Sequence, residues 1–101
     1  MNFDWHLKKA EANLQKHAIS FDEATLAFED EFCVDIYDDT HSTMDEKRYV
    51  SIGEANGRIL FIAYTILNED TNDEIYWLIS AREAETWEIE DYEQEKFRRY
   101  E

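Results

Sequence analysis

Arg48-Tyr-Val-Ser-Ile-Gly-Glu-Ala-Asn-Gly-Arg-Ile-Leu-Phe-Ile-Ala-Tyr-Thr-Ile-Leu67 is the stretch that decides the fold. Asn56-Gly57 is its sharpest turn signal, because both central residues of a type I′ hairpin turn take positive φ. Before the turn, Arg48 to Ile52 alternates, with Arg48, Val50 and Ile52 on one face. After it, Arg58 to Leu67 is almost wholly apolar and reads as a strand covered on both sides. Working outward, Val34 and Ile36 alternate with Asp35 and Tyr37 as in a half-exposed strand. Ile75, Trp77 and Ile79 give a last strand over Glu74 to Ile79. Asn2 to Trp5 alternates polar and aromatic residues, as a short edge strand does.

Helices flank this sheet. Leu7, Ala10, Leu14 and Ala18 recur at helical spacing, with Asp4 or His6 as the cap. Ser20-Phe-Asp-Glu23 is a capping box, and its helix should fade by about Glu31. Ser20 follows Ile19, which stands at the staple position. Ser80-Ala-Arg-Glu83 reads as a second box that opens a helix from about Ala81 to Arg98, acids early and bases late as the helix dipole favours. The expectation is one α+β domain over residues 1–101, with two N-terminal helices, an antiparallel sheet of about four strands and a C-terminal helix.

Composition narrows the function. The 101 residues carry 25 acids and 10 bases, a net charge of −15, yet 44% are hydrophobic and 15% aromatic. A disordered acidic tail lacks such apolar content. The charge is uneven. Residues 1–20 are net +1, residues 21–47 hold ten acids and one lysine, and residues 83–95 hold seven acids and no base. The single cysteine, Cys33, makes no internal disulfide, which fits a reducing compartment and points to the cytoplasm. No apolar run reaches the roughly 18 residues of a membrane span. The overall charge disfavours non-specific binding to nucleic acid or anionic membrane.

Phe3-x-Trp5 and Asn13-x-x-Lys16-His17-x-Ile19-x-Phe21-x-Glu23-Ala24 resemble the opening of the BrnT toxins, where an aromatic-Trp pair precedes an N-x-x-K-H-G-V-x-F-x-E-A run. Asp39-x-His41, Arg48, Ile52-Gly53, Tyr64-Thr65, Ile79-Ser80-Ala81-Arg82-x-Ala84 and Glu88-x-x-x-Tyr92 continue the match in order. The resemblance implies a RelE-like fold and a ribonuclease that slows translation. It also implies silencing by a BrnA-like ribbon-helix-helix antitoxin, through which the pair would touch operator DNA. The chain departs from the family pattern in three places. Trp77 stands where an arginine is usual, Ala18 replaces the glycine after Lys-His, and acids replace the arginines after Arg82.

Cleaving RNA without a metal requires removing a proton from a 2′-hydroxyl, stabilising a phosphorane-like transition state and protonating the leaving oxygen. Arginines supply the electrostatic part. Arg82 and Arg48 are the candidates for phosphate, and His17 or Glu88 for proton transfer. Lys16, Tyr64 and Tyr92 are candidates for holding RNA. Each has a structural alternative. Arg82 can pair with Glu85 or Glu88, His17 can close the first helix, and Glu88 with Tyr92 can be an ordinary i,i+4 pair. Trp5 and Trp77 can stack on bases or fill the core. Asp38, Asp39, His41, Asp45 and Glu46 have neither calcium-loop nor zinc-site spacing, so no metal or cofactor is expected. Cys33 reads as a buried structural thiol. Two further readings stay open. One is a catalytically inactive, acidic protein-binding module, and the other is an acidic mimic of nucleic acid.

Overall fold

The structure, a computed structural model, describes residues 1–99. Strand β1 (Asn2–Trp5) leads into α1 (Leu7–His17) and α2 (Phe21–Thr25), which tightens into a 3-10 turn over Leu26–Glu29. Strands β2 (Val34–Tyr37), β3 (Arg48–Ala55), β4 (Arg58–Leu67) and β5 (Ile75–Glu83) follow, then α3 (Thr86–Arg99). The sheet order is β1-β5-β4-β3-β2.

The hairpin forms as its sequence requires. Asn56 and Gly57 take φ of 51° and 82°, and the β3–β4 ladder runs from Ala55 opposite Arg58 to Arg48 opposite Thr65. The α+β class holds. The expected four-stranded antiparallel sheet becomes a five-stranded mixed one, because β1 adds to the edge of β5 in parallel. Alternation in Asn2–Trp5 reveals a strand but not its direction. What holds β1 there is aromatic packing, with Phe3 against Phe28 and Tyr76 and Trp5 edge-on to Phe21.

One sheet face carries the main core. Leu60, Ile62, Tyr64, Leu78 and Ala81 pack there with Ile19, Phe21, Ala24 and Ala27 from the α2 region. The 3-10 turn lies so close that a Cβ on Gly53 would stand 2.5 Å from the Ala27 carbonyl oxygen, so only glycine fits. On the other face Val50 and Ile52 pack with Tyr92 of α3, and Phe32, Val34, Ile59, Phe61 and Ala84 flank them.

Three local expectations change. Of the Leu7, Ala10 and Leu14 stripe only Ala10 packs against the core, since Leu7 is 74% and Leu14 50% exposed. The buried residue of α1 is Asn13, whose amide bonds to the β5 backbone set the helix's rotation. The second helix stops at Thr25 as an α-helix. Ser20 does cap it, its Oγ accepting the Glu23 N–H at 3.0 Å, but Glu23 turns its carboxylate to Arg58 rather than back to Ser20. Ser80-Ala-Arg-Glu83 is no cap at all. These residues pair with Leu60 to Ala63 of β4, and the ladder carries the strand to Glu83. At the start of α3 it is Glu88 that reaches back, its Oε1 accepting the Glu85 N–H at 2.7 Å.

Candidate functional site

The site grows from an irregularity in β5. Ala63 pairs with Ser80, but Tyr64 pairs with Leu78, so Ile79 is an extra residue. Such a bulge bends a strand and re-aims its side chains. Strand β1 also covers β5 only as far as Leu78. Beyond it, Asn13 serves as a surrogate strand. Its Nδ2 donates to the Ala81 carbonyl at 2.8 Å and its Oδ1 accepts the Ala81 N–H at 3.0 Å. The same Nδ2 reaches the Ile19 carbonyl at 3.0 Å.

Two clefts meet at Ile79 and Ser80. The larger, about 330 Å³, has Phe61, Val50 and Ala63 as its apolar lining, Arg48 and Arg82 from β3 and β5, and Asp38 and His41 from the loop after β2. The smaller, about 210 Å³, is bounded by Lys9, Ala12, Asn13, Lys16 and His17 of α1.

The two arginines are held differently. Arg82 donates from Nη1 and Nη2 to Glu88 at 2.7 and 2.9 Å, and its guanidinium lies 4.1 Å from the centre of the Phe61 ring. Glu88 is fully buried, and its hydrogen bonds raise the Arg82 pKa further above its usual value. Arg82 is therefore a fixed, permanently charged group. Arg48 donates from Nε to Glu46, but that pair is exposed. Exposed pairs contribute about 1 kcal/mol or less, so an incoming anion can displace Glu46 at small cost. Arg48 is thus the exchangeable cation of the cavity.

The loop bearing His41 is tied down. His41 Nδ1 lies 2.7 Å from Asp38 Oδ2, and Asp38 Oδ1 accepts the His41 N–H at 3.2 Å. Ser42 Oγ accepts the Arg48 N–H at 2.8 Å and donates to the Asp38 carbonyl at 2.6 Å. A carboxylate at Nδ1 holds the imidazole and leaves Nε2 for proton exchange.

Matched against models of protein families, residues 5–88 fit the ribonuclease toxin, BrnT, of type II toxin–antitoxin systems. The chain belongs to the BrnT family. The match spans Lys16, His17, Arg48 and Arg82 and ends on Glu88, so it contains both clefts. No curated protein matches the chain. Membership makes an antitoxin the expected partner class. Among the described residues, no helix is long and apolar enough to cross a membrane.

Within this family frame, the candidates read from sequence fall into three groups. Arg48 and Arg82 share one cavity. His17 and Lys16 stand in the adjoining cleft, with His17 as the last residue of α1. Glu88, Tyr64 and Tyr92 are buried and line neither cleft. Glu88 spends both oxygens on Arg82. Tyr64 stacks between Tyr49 and Tyr76 and shares a hydrogen bond with Ser51, and burial pushes its hydroxyl pKa up. Tyr92 donates to Asp30 at 2.6 Å, and burial with that bond raises it likewise. Arg82 also stands inside a strand, not beside the helix start that Ser80–Glu83 suggested.

In the sequence His41 stands in an acidic cluster and in the Asp39-x-His41 block, but neither marks it as a site residue. The Asp38-x-x-His41 spacing, i and i+3, is the signal of its tether. Among the described residues no three His, Cys, Asp or Glu side chains converge as a metal site. Cys33 is pushed up to about 12 by burial and the neighbouring Asp35, so its thiol stays protonated at neutral pH.

Proposed function

We propose that the chain is a metal-independent endoribonuclease that slows translation in the cytoplasm on a RelE-like scaffold. A BrnA-like ribbon-helix-helix antitoxin silences it, and the pair reaches operator DNA through that antitoxin. The observation that carries this reading is the convergence of Arg48 and Arg82 on one cavity that also contains His41.

The scissile phosphate binds between the guanidinium groups, with Arg48 releasing Glu46 to do so. Arg82, pre-oriented by Glu88, stabilises the charge that develops on the non-bridging oxygens. His41 and His17 are the proton carriers on either side of Ser80. One takes the 2′-hydroxyl proton as that oxygen attacks phosphorus, and the other protonates the departing 5′-oxygen. The products are a 2′,3′-cyclic phosphate and a free 5′-hydroxyl. Glu88 acts through Arg82, and Tyr64 and Tyr92 keep the sheet and α3 in place.

The test uses purified protein and unstructured RNA in EDTA, with the new ends identified. Cleavage leaving cyclic phosphates is expected, and Arg48→Ala should slow it by about 10²-fold. Arg48 suits the test because its partner Glu46 is exposed, so its loss leaves no buried charge. Absence of cleavage, or an Arg48→Ala enzyme as fast as wild type, overturns the reading. In cells, expression should arrest growth unless the antitoxin frame is co-expressed.

One observation favours the alternative of an inactive protein-binding module. All five arginines are already ion-paired, Arg58 with Glu23 and Glu83, and Arg98 and Arg99 with Glu95. That reading expects no cleavage and no cellular effect of Arg82→Ala.

A further inference from the structure

Lys9 and Lys16 differ from every arginine in the chain. Among the described residues neither forms an ion pair, whereas all five arginines do. They lie seven residues apart, two turns along one side of α1, with the small Ala12 between them. Both border the smaller cleft, and that cleft meets the Arg48–Arg82 cavity along Ile79 and Ser80. Residues 1–20 are also net +1 in a chain of net charge −15. Two of the lysines that form no ion pair among the described residues therefore stand one step from the cavity proposed for chemistry, whereas Lys8 and Lys47, which form none either, line neither cleft.

We propose that the Lys9–Lys16 cleft is a second phosphate subsite, which holds the phosphate next to the scissile one on single-stranded RNA. This rests on the ribonuclease reading and adds the form of substrate to it. Cavities of about 210 and 330 Å³ lie below and just inside the small-ligand range, which starts near roughly 300 Å³. Each therefore takes one unpaired nucleotide rather than a base pair. The bulge at Ile79, on the short length of β5 edge between the end of β1 at Leu78 and Asn13 at Ala81, gives the strand its path between them. Because α1 lies on one side of Ser80 only, the extra phosphate is recognised on one side of the cut and ignored on the other.

The experiment compares kcat/KM for a dinucleotide with one phosphate against trinucleotides extended on the 5′ or the 3′ side. Wild type should gain from one extension and not the other. Lys9→Ala should remove about fivefold of that gain, mainly through KM, as expected for an exposed cation–phosphate pair. Lys8→Ala, on the same helix but outside the cleft, should keep the wild-type ratio. In parallel, anisotropy reads binding of a 2′-O-methyl trinucleotide, which cannot be cleaved. For single strands the slope of log K against log salt should shrink by about 0.7 in Lys9→Ala.

If both extensions help equally, or Lys8→Ala matches Lys9→Ala, the subsite is overturned. If nothing is cleaved but Lys9→Ala still lowers the binding slope, the subsite stands and the catalytic reading falls. If the trinucleotide does not bind, both fall.

Discussion

Replacing Asn13 by alanine should cost far more than a helix residue normally does. Its side chain makes three hydrogen bonds to backbone groups of Ile19 and Ala81, two residues with no solvent exposure. At about 1 kcal/mol net per bond, the loss is about 3 kcal/mol. Full desolvation of the three orphaned groups would raise it. The adjoining cleft admits water past Ala12 and Lys16, which holds the loss near the lower figure. For a domain of this size about 3 kcal/mol is roughly 12–24 °C in Tm. Urea unfolding followed by tryptophan fluorescence measures it directly. Asn13→Asp adds a sharper comparison. A carboxylate can accept the Ala81 N–H but faces two carbonyl oxygens, so its pKa in the folded protein rises. N13D should therefore be least stable at neutral pH and recover as pH falls and the carboxyl protonates. An N13A protein that loses less than about 1 kcal/mol, or an N13D protein equal to wild type at pH 7, refutes the surrogate-strand account.

Ala18→Gly should stabilise the protein by about 0.5–1 kcal/mol, because Ala18 closes α1 at φ 57°, where a Cβ is strained; a raised urea midpoint with unchanged slope checks it. Asp30 feels burial, which raises its pKa, but the Tyr92 hydroxyl and the N–H groups of Glu54 and Phe32 outweigh it and leave the value lowered. Its contribution is therefore full above the normal carboxylate range and fades as pH falls through the lowered value, so the stability gap between wild type and Tyr92→Phe should close below about pH 4. Arg82→Ala strands the buried Glu88 and should destabilise by about 2–3 kcal/mol, less than a fully buried pair because Arg82 is partly exposed. Arg82→Ala with Glu88→Gln should regain most of that in the same urea titration, since the neutral amide oxygen would still accept the Glu85 N–H.

How much of this was legible depended on whether a signal was local. The β3–β4 hairpin was readable because Asn56-Gly57 and the alternation on either side agree. The Ser20 cap was readable for the same reason. Ser80-Ala-Arg-Glu83 matched a capping box equally well, yet pairing with β4 prevailed, and a capping motif does not reveal a ladder partner some twenty residues away. Helical spacing put Leu7, Ala10 and Leu14 on one apolar stripe, yet of these three only Ala10 packs against the core, because hydrogen bonds from Asn13 to Ala81 set the rotation of the helix. In the candidate site, the arginines were readable as residue types, but only Arg48 was readable on a strand face, since the capping-box reading set Arg82 at a helix start. Their convergence was not, because it depends on β5 running on to Glu83, which sets Arg82 opposite Phe61 of β4. Glu88 was one of the two partners readable for Arg82, but the choice between Glu85 and Glu88 is made only once α3 folds back over the sheet.

A net charge of −15 need not defeat an anion site, because the acids and the clefts are partly segregated. Of the acids on α3, Glu88 is consumed by Arg82, while Asp91 and Glu95 border a different groove with Val34 and Ile36. At physiological salt, exposed charges are screened beyond roughly 8 Å, so groups that face another groove weigh little on a bound phosphate. The overall field acts instead on approach. It slows a polyanion and speeds a basic protein. An antitoxin with a basic surface would thus reach this chain faster than RNA does, and the advantage should shrink as salt rises. On the proposed reading the acidic exterior sets the order in which partners arrive, while the few cations at Ser80 decide what is bound there.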